Sequence, residues 1–281
     1  MQTFEERLLE AATRNRSLLC VGLDPDPALM PIPDVLAFTK GIVDATRDLV
    51  CAYKPNVAFY DAMGEAGHGP LRDIIRYIRD TGGVPIIGDA KRGDVGSTAS
   101  AYARAMFEVL GFDATTVNPY GGRDAVQPFL DYADRGVFVW CRSSNPGARE
   151  LQDLTVVSPY GGEPRPYYQL VAMQSASWNE SGNVALVVGA TYPDELRAVR
   201  ELCPDMPILM PGVGAQGGAL ERAVEAGVDG RGRNLIVAAS RSVLYASRDP
   251  EGYGAAARAE AESLRGGINA VLEARGLGWV E

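Results

Sequence analysis

Short β-branched apolar runs alternate with stretches of helical periodicity along the chain. The first run, Ser17–Leu23, follows an amphipathic stretch from Phe4 to Arg14 and leads into Asp24. Further strands are predicted at Cys51–Lys54, Val84–Gly88, Ala114–Val117, Gly136–Cys141, Val184–Val188, Pro207–Met210 and Asn234–Ala238. Between and after them, the spacing predicts helices near Asp34–Val50, Leu71–Asp80, Gly96–Leu110, Ala125–Ala133, Tyr168–Trp178, Pro193–Leu202, Gly218–Ala226 and Tyr253–Arg275. Eight strands, each followed by a helix at βαβ length, predict an α/β fold of the (β/α)8 TIM-barrel type with an N-terminal capping helix. A doubly wound open sheet would carry a G-x-G-x-x-G turn after its first strand, and here that turn reads Gly22-Leu-Asp-Pro-Asp-Pro27. The stretch Arg142–Asn183 is longer than an ordinary βα connection, which predicts an extended loop and helix insertion after strand five, over the barrel mouth. Without a repeat, a low-complexity tract or a linker, residues 1–281 read as a single domain.

With 281 residues and 46% hydrophobic content, the chain can bury a full core without disulfides or a structural metal. The formal net charge of -9 argues against a nucleic-acid partner, while a small phosphate can still bind where donors converge. Cys20, Cys51, Cys141 and Cys203 are scattered without a C-x-x-C pair, so a reduced, cytoplasmic chain is expected. The charged N-terminal segment and strand-sized apolar runs predict neither a signal peptide nor a membrane span. The single histidine, His68, reads as a solvated residue on the glycine-flanked turn Gly67-His68-Gly69, which leaves little room for His-dependent triads or two-His zinc sites.

In a barrel of this kind, chemistry gathers at the C-terminal ends of the strands. Strand one ends in Asp24, strand two in Lys54, and strand three runs into Gly88-Asp89-Ala-Lys91-Arg-Gly-Asp94. Asp89 and Lys91, two apart, are expected to point to the same side in extended geometry, within reach of Lys54. An isolated Asp-x-Lys pair is ordinarily a solvated ion pair of little consequence. Two lysines and two aspartates at adjacent strand ends instead suggest a retained charge array. After strand seven, the loop Pro211-Gly-Val-Gly-Ala-Gln216-Gly217 precedes a helix and can present N–H groups to a phosphate, with Arg241 after strand eight as a forked donor. Trp140, Tyr167, Tyr168 and Trp178 read as core and loop packing, and Tyr120 as packing or a substrate contact.

These residues resemble the orotidine 5′-phosphate decarboxylases, in their longer bacterial type. The resemblance is carried by Val21-Gly-Leu-Asp24, Tyr53-Lys-Pro-Asn56, Asp89-Ala-Lys-Arg-Gly-Asp94-Val-Gly-Ser-Thr98, Asn145-Pro-Gly147, Val187-Val-Gly-Ala-Thr191, Pro211-Gly-Val-Gly-Ala-Gln216 and Ser240-Arg-Ser242, in order over nearly the whole chain. It implies a TIM barrel that converts orotidine 5′-monophosphate to UMP and carbon dioxide in pyrimidine synthesis, with no metal or organic cofactor. The family's catalytic tetrad maps onto Lys54, Asp89, Lys91 and Asp94. Asp24 and Thr98 match the ribose contacts, Ser144 the pyrimidine contact, and Gln216 and Arg241 the phosphate ligands. Choosing Ser144 over Ser143 rests on its spacing to Pro146-Gly147, and Ser240 stands where shorter members carry glycine. The resemblance also implies a homodimer in which Asp94 reaches the neighbouring subunit's site.

On that reading Lys91 stabilises the carbanion left at ring carbon C6 and protonates it, while Asp89 faces the departing carboxylate. One alternative is a Mg²⁺-dependent sugar-phosphate decarboxylase or aldolase of the same superfamily, which would need further acidic ligands where strand two ends in Lys54. Another is a catalytically inactive nucleotide-binding barrel, against which the intact Lys54/Asp89/Lys91/Asp94 set argues.

Overall fold

Parallel strands covered on both faces are built from uninterrupted apolar runs, and the runs along this chain form such strands. The computed structural model describes residues 2–81, 83–157, 161–212 and 217–279. In chain order the strands are β1 (Leu19–Leu23), β2 (Ala52–Pro55), β3 (Ile87–Arg92), β4 (Ala114–Val117), β5 (Gly136–Arg142), the short pair β6 (Thr155–Val156) and β7 (Arg165–Pro166), then β8 (Val184–Val188), β9 (Ile208–Pro211) and β10 (Leu235–Ala239). Apart from antiparallel β6 and β7, they form one eight-stranded parallel sheet in the order β2-β1-β10-β9-β8-β5-β4-β3. Its edges meet through parallel bridges at Tyr53–Ile86 and Asn56–Asp89, which brings the sheet round into the expected barrel.

Side-chain alternation divides the apolar residues into two layers. Leu19, Val21, Val137, Val139, Leu186 and Val237 face the surrounding helices. Cys20, Ala52, Ile87, Ala114, Phe138 and Ile236 belong to a second cluster that fills the barrel interior. Helix α1 (Phe4–Asn15) plugs the lower end, as the capping-helix reading predicts: Phe4 meets Phe138 edge-on at 5.6 Å. Thr3 and Glu6 close a reciprocal capping box at the start of that helix. Two residues further up, the same inward register turns polar, because Ala52 is followed by Lys54, Ile87 by Asp89 and Ala114 by Thr116. The upper layer of the barrel is thus charged and hydrogen-bonding where the lower one is apolar.

The outer helices are α2 (Val35–Thr46), α3 (Val57–Asp61), α4 (Glu65–Thr81), α5 (Gly96–Arg104), α6 (Arg123–Leu130), α7 (Tyr167–Ser177), α8 (Pro193–Leu202), α9 (Gly217–Gly227), α10 (Arg241–Leu244) and α11 (Tyr253–Ala274). Three of them depart from the sequence pattern. α3 and α10 were not expected, and α4 begins at Glu65 rather than near Leu71, so His68 stands in a helix instead of a turn. The glycine that suggested a turn serves packing: a Cβ on Gly67 would lie 2.0 Å from the Tyr60 carbonyl oxygen. His68 remains exposed, 3.5 Å from Asp61. The helix expected over Gly96–Leu110 ends in a π-helical turn at Ala105–Val109. The insertion after β5 comprises a short 3₁₀ turn at Pro146–Glu150, the β6–β7 pair and α7. Among the described residues no helix is long and apolar enough to cross a membrane.

Candidate active site

The polar upper layer centres on Asp89. Its Oδ2 accepts from Lys54 Nζ at 2.8 Å and its Oδ1 from Lys91 Nζ at 2.6 Å. Lys54 and Asp89 are buried, whereas the Lys91 side chain is 35% exposed and can meet a ligand in the mouth. Burial alone would raise the Asp89 pKa, but Lys54 and Lys91 outweigh it and hold the carboxyl well below the usual carboxylate range. Burial would likewise lower the Lys54 pKa, and Asp89 with Asp24 drives it above the ordinary lysine value instead.

The pairing of Asp89 with Lys91 agrees with the sequence reading, but the backbone route differs. β3 pairs Gly88 with Thr115 and Arg92 with Val117, so Asp89, Ala90 and Lys91 bulge out opposite Thr116 alone. Lys91 sits at φ 44°, in the left-handed region that costs a non-glycine residue roughly 1–2 kcal/mol. This bend, rather than an extended strand, returns its ammonium to Asp89.

A cavity of about 690 Å³ opens from Lys54 and Asp89 toward the ends of β1 and β10, where Asp24, Ser240 and Arg241 line it. A second lobe of about 260 Å³ shares Lys54 and Asp89 and runs toward Lys91, Trp140, Ser143 and Ser144. Asp24 lines the larger lobe, and its Oδ1 is buried without a hydrogen-bond partner among the described residues. The backbone of Asp24 is fixed by Tyr245, whose hydroxyl donates to the Asp24 carbonyl at 2.8 Å and accepts from Asp26 N at 2.7 Å. Gly22 permits the close approach of β1 to β10 here, since a Cβ at that position would lie 1.9 Å from Ser240 Oγ. Arg241 is exposed in the cavity wall and makes no ion pair among the described residues. A smaller cavity of about 170 Å³ lies at the opposite end, between α1 and β10, and its lining is mainly aliphatic.

Ser143 and Ser144 are held differently. Gln152 of the insertion accepts from Ser143 N at 2.9 Å, and its amide nitrogen donates to Ser143 Oγ at 3.0 Å. The fully buried Arg142 donates to Gln152 Oε1 at 3.1 Å, pairs with Asp153 at 3.0 Å and stacks 4.6 Å from the Tyr192 ring centre. Ser144 lines the smaller lobe and has no hydrogen-bond partner among the described residues. Its hydroxyl, rather than that of Ser143, is the one available to a ligand.

Of the sequence-predicted residues, the structure brings Lys54, Asp89, Lys91, Asp24, Ser144 and Arg241 to the two lobes. Asp94 and Thr98 are not brought in: both are exposed, and among the described residues Asp94 Oδ1 accepts only from Val95 N, at 2.7 Å. Gln216 lies outside the described residues. Trp140, read as packing, instead lines the smaller lobe with its ring centre 5.8 Å from Lys91 Nζ. Thr116, Tyr245 and the Arg142–Gln152 pair escaped sequence reading altogether; only the inward period of β4 could have singled out Thr116.

Fold and cleft together define a (β/α)8 barrel with a Lys-Asp-Lys array at its mouth and an open cationic group beside the last strand. The family model for orotidine 5′-phosphate decarboxylase and HUMPS proteins matches residues 17–257, and the chain belongs to that family. It is 53% identical over 278 residues to the orotidine 5′-phosphate decarboxylase of Roseiflexus castenholzii, covering 96% of this chain and 99% of that one. The enzyme of the same name from Cupriavidus necator is 48% identical over 275 residues, covering 95% and 98%. Among solved structures, Leishmania donovani OMP decarboxylase superposes with a TM-score of 0.83 at 38% identity, covering 96% of this chain and 98% of its own.

Proposed function

We propose that this chain decarboxylates orotidine 5′-monophosphate to UMP, with Lys91 as the proton donor at C6. The observation that carries this reading is the placement of Lys91 Nζ, 2.6 Å from a buried, ionised Asp89, in the wall of a cleft of nucleotide size. Decarboxylation cleaves the bond from C6 to the carboxyl carbon; the electron pair stays on C6 and carbon dioxide leaves. Positive charge already fixed beside C6 stabilises that pair without reorganisation, and a proton from Lys91 then completes UMP. Asp89 orients Lys91 and, by facing the substrate carboxylate, makes its departure favourable. Lys54 holds the other oxygen of Asp89, so the carboxylate cannot rotate away.

The place of Asp24 in the wall of the larger lobe supports a contact to a ribose hydroxyl, and the open Ser144 hydroxyl a contact to the pyrimidine. Arg241 is the phosphate donor in this reading, joined by Gln216. The exposure of Asp94 and Thr98 supports their use by a second copy of the chain, so that a homodimer completes each site. Four buried, unpaired cysteines support a reducing compartment, the cytoplasm. The Mg²⁺-dependent alternative is disfavoured by its donor set: a lysine stands at the end of β2, already bonded to Asp89.

The test is the ultraviolet absorbance of orotidine 5′-monophosphate mixed with purified chain in EDTA. Loss of the orotate chromophore is the expected result, and no change, with turnover of a sugar phosphate on adding Mg²⁺, would overturn the assignment.

The charges of Lys54 and Asp89 also set an expectation for pH. Asp89 has a folded pKa below its unfolded value near 4, so its contribution to stability is complete above that pH and fades as pH falls through the folded value. Lys54 has a folded pKa above its unfolded value near 10.5, so its contribution is complete below that pH and fades as pH rises through the folded value. Between about pH 5 and 10 neither group changes charge, so neither should inflect the kcat profile. kcat/KM should fall below about pH 6, where the phosphate monoester dianion takes up a proton and becomes the monoanion. A kcat inflection near pH 8 that vanished in Lys54→Met would contradict this.

A further inference from the structure

We infer that the buried hydroxyl of Thr116, on β4, is a positioning residue that holds the bulge carrying Lys91 and locks Asp89 as a hydrogen-bond acceptor. The inference rests on the decarboxylase reading above and extends it to a group outside the cleft.

The bulge removes ladder partners. Three residues, Asp89, Ala90 and Lys91, stand opposite Thr116, so the N–H groups of Ala90 and Lys91 lose the carbonyls a regular parallel pairing would offer. Such groups are costly when left unpaired away from water. Both donate to Thr116 Oγ1, at 3.0 and 2.9 Å. That uses the two acceptor positions of the hydroxyl. Its single proton then goes to Asp89 Oδ1 at 2.9 Å, the same oxygen that accepts from Lys91 Nζ at 2.6 Å.

One fully buried hydroxyl therefore makes three contacts, and each acts on the array. The two accepted bonds stabilise the left-handed turn at Lys91, without which a regular strand would set its side chain on the same face but two residues further along from Asp89. The donated bond joins those from Lys91 to Oδ1 and from Lys54 to Oδ2 in favouring the ionised form of Asp89, whose two oxygens both accept. Valine has the same shape but neither accepts nor donates, and serine keeps the hydroxyl while losing the methyl group.

Thr116→Val should lower kcat about 100-fold, in the range of losses for one misplaced preorganised contact, with KM and UMP affinity within about threefold of wild type. Thr116→Ser should recover kcat to within about threefold of wild type, a rescue that a role in packing volume would not give. If the valine variant does not accumulate as folded protein, Thr116→Cys carries the same comparison, since a thiol is a weak acceptor. A fall of about tenfold in kcat at unchanged UMP affinity is expected there. The proposal is overturned if Thr116→Val, or Thr116→Cys in its place, turns over at the wild-type rate, or if Thr116→Ser loses as much kcat as the test variant. It is equally overturned if the variants change KM and UMP affinity while kcat stays constant. Wild-type turnover in the same assay separates this inference from the functional reading. A wild-type chain silent on orotidine 5′-monophosphate overturns both.

Discussion

Lys91→Ala is expected to lower kcat for orotidine 5′-monophosphate by about 10⁵-fold while leaving UMP affinity within about tenfold of wild type. The magnitude combines two losses. A positioned general acid contributes roughly 10²–10⁴-fold, and preorganised charge at a developing anion roughly 10²–10³-fold. Two unit charges about 3 Å apart interact by roughly 5 kcal/mol at an effective dielectric near 20, enough to account for the electrostatic part. The fold should survive, because Lys54 still satisfies Asp89 and Lys91 is partly exposed. The left-handed backbone adds no new penalty either, since lysine and alanine both carry a Cβ and meet the same strain at φ 44°. Lys91→Arg makes the test sharper. It keeps a cation beside C6, yet a guanidinium with a pKa above 12 is a poor proton donor and a planar fork fits a different space. Its kcat should remain at least about 10³-fold below wild type. Single-turnover formation of UMP at a near-normal rate in either variant would remove Lys91 from the proton-donor role.

The barrel was legible because parallel strands buried on both faces leave an unbroken apolar record, as in Val184–Val188 and Leu235–Ala239. Where the sequence misled, one residue type answered two physical demands. Gly67 and Gly69 around His68 read as a turn, but Gly67 is needed for a helix to pass over the Tyr60 carbonyl, and α4 runs straight through. In the site, charged residues at strand ends were visible because charge is rare after an apolar run. Thr116 and Gln152 were not, because their importance comes entirely from what lies opposite: a three-residue bulge for one, the serine loop for the other. The spacing of Asp89 and Lys91 foretold their contact but not the backbone that makes it. Asp94 and Thr98 illustrate a different boundary: a motif fixes residue type and order, while the fold leaves both side chains exposed and outside the lining of either lobe.

Arg241→Ala carries the other large effect, expected as a rise of about 100-fold in KM for orotidine 5′-monophosphate. A charge-assisted pair to a phosphate is worth about 3 kcal/mol at the upper end, which converts to about two orders of magnitude. Arg241 should reach that end because it lines the larger lobe and makes no competing ion pair among the described residues. A guanidinium already bonded to a carboxylate would have to exchange partners, as Arg258 would with Asp48. The phosphate is remote from C6, so its binding energy can act in two ways. If it serves binding alone, KM rises and kcat is untouched; if it also holds the nucleotide against Lys91, kcat falls as well. On the proposed reading the second outcome is expected, a kcat loss of about tenfold beyond the change in KM, because Arg241 lines the larger lobe and Lys91 the smaller one, so a phosphate held at the first would orient the ring at the second. The control is orotidine without its phosphate. The wild type and Arg241→Ala should decarboxylate it at the same slow rate, since neither has a phosphate to grip. A variant slower on orotidine than wild type would show that Arg241 acts on the ring or ribose instead, and an unchanged KM for the monophosphate would take the phosphate site away from this side of the barrel.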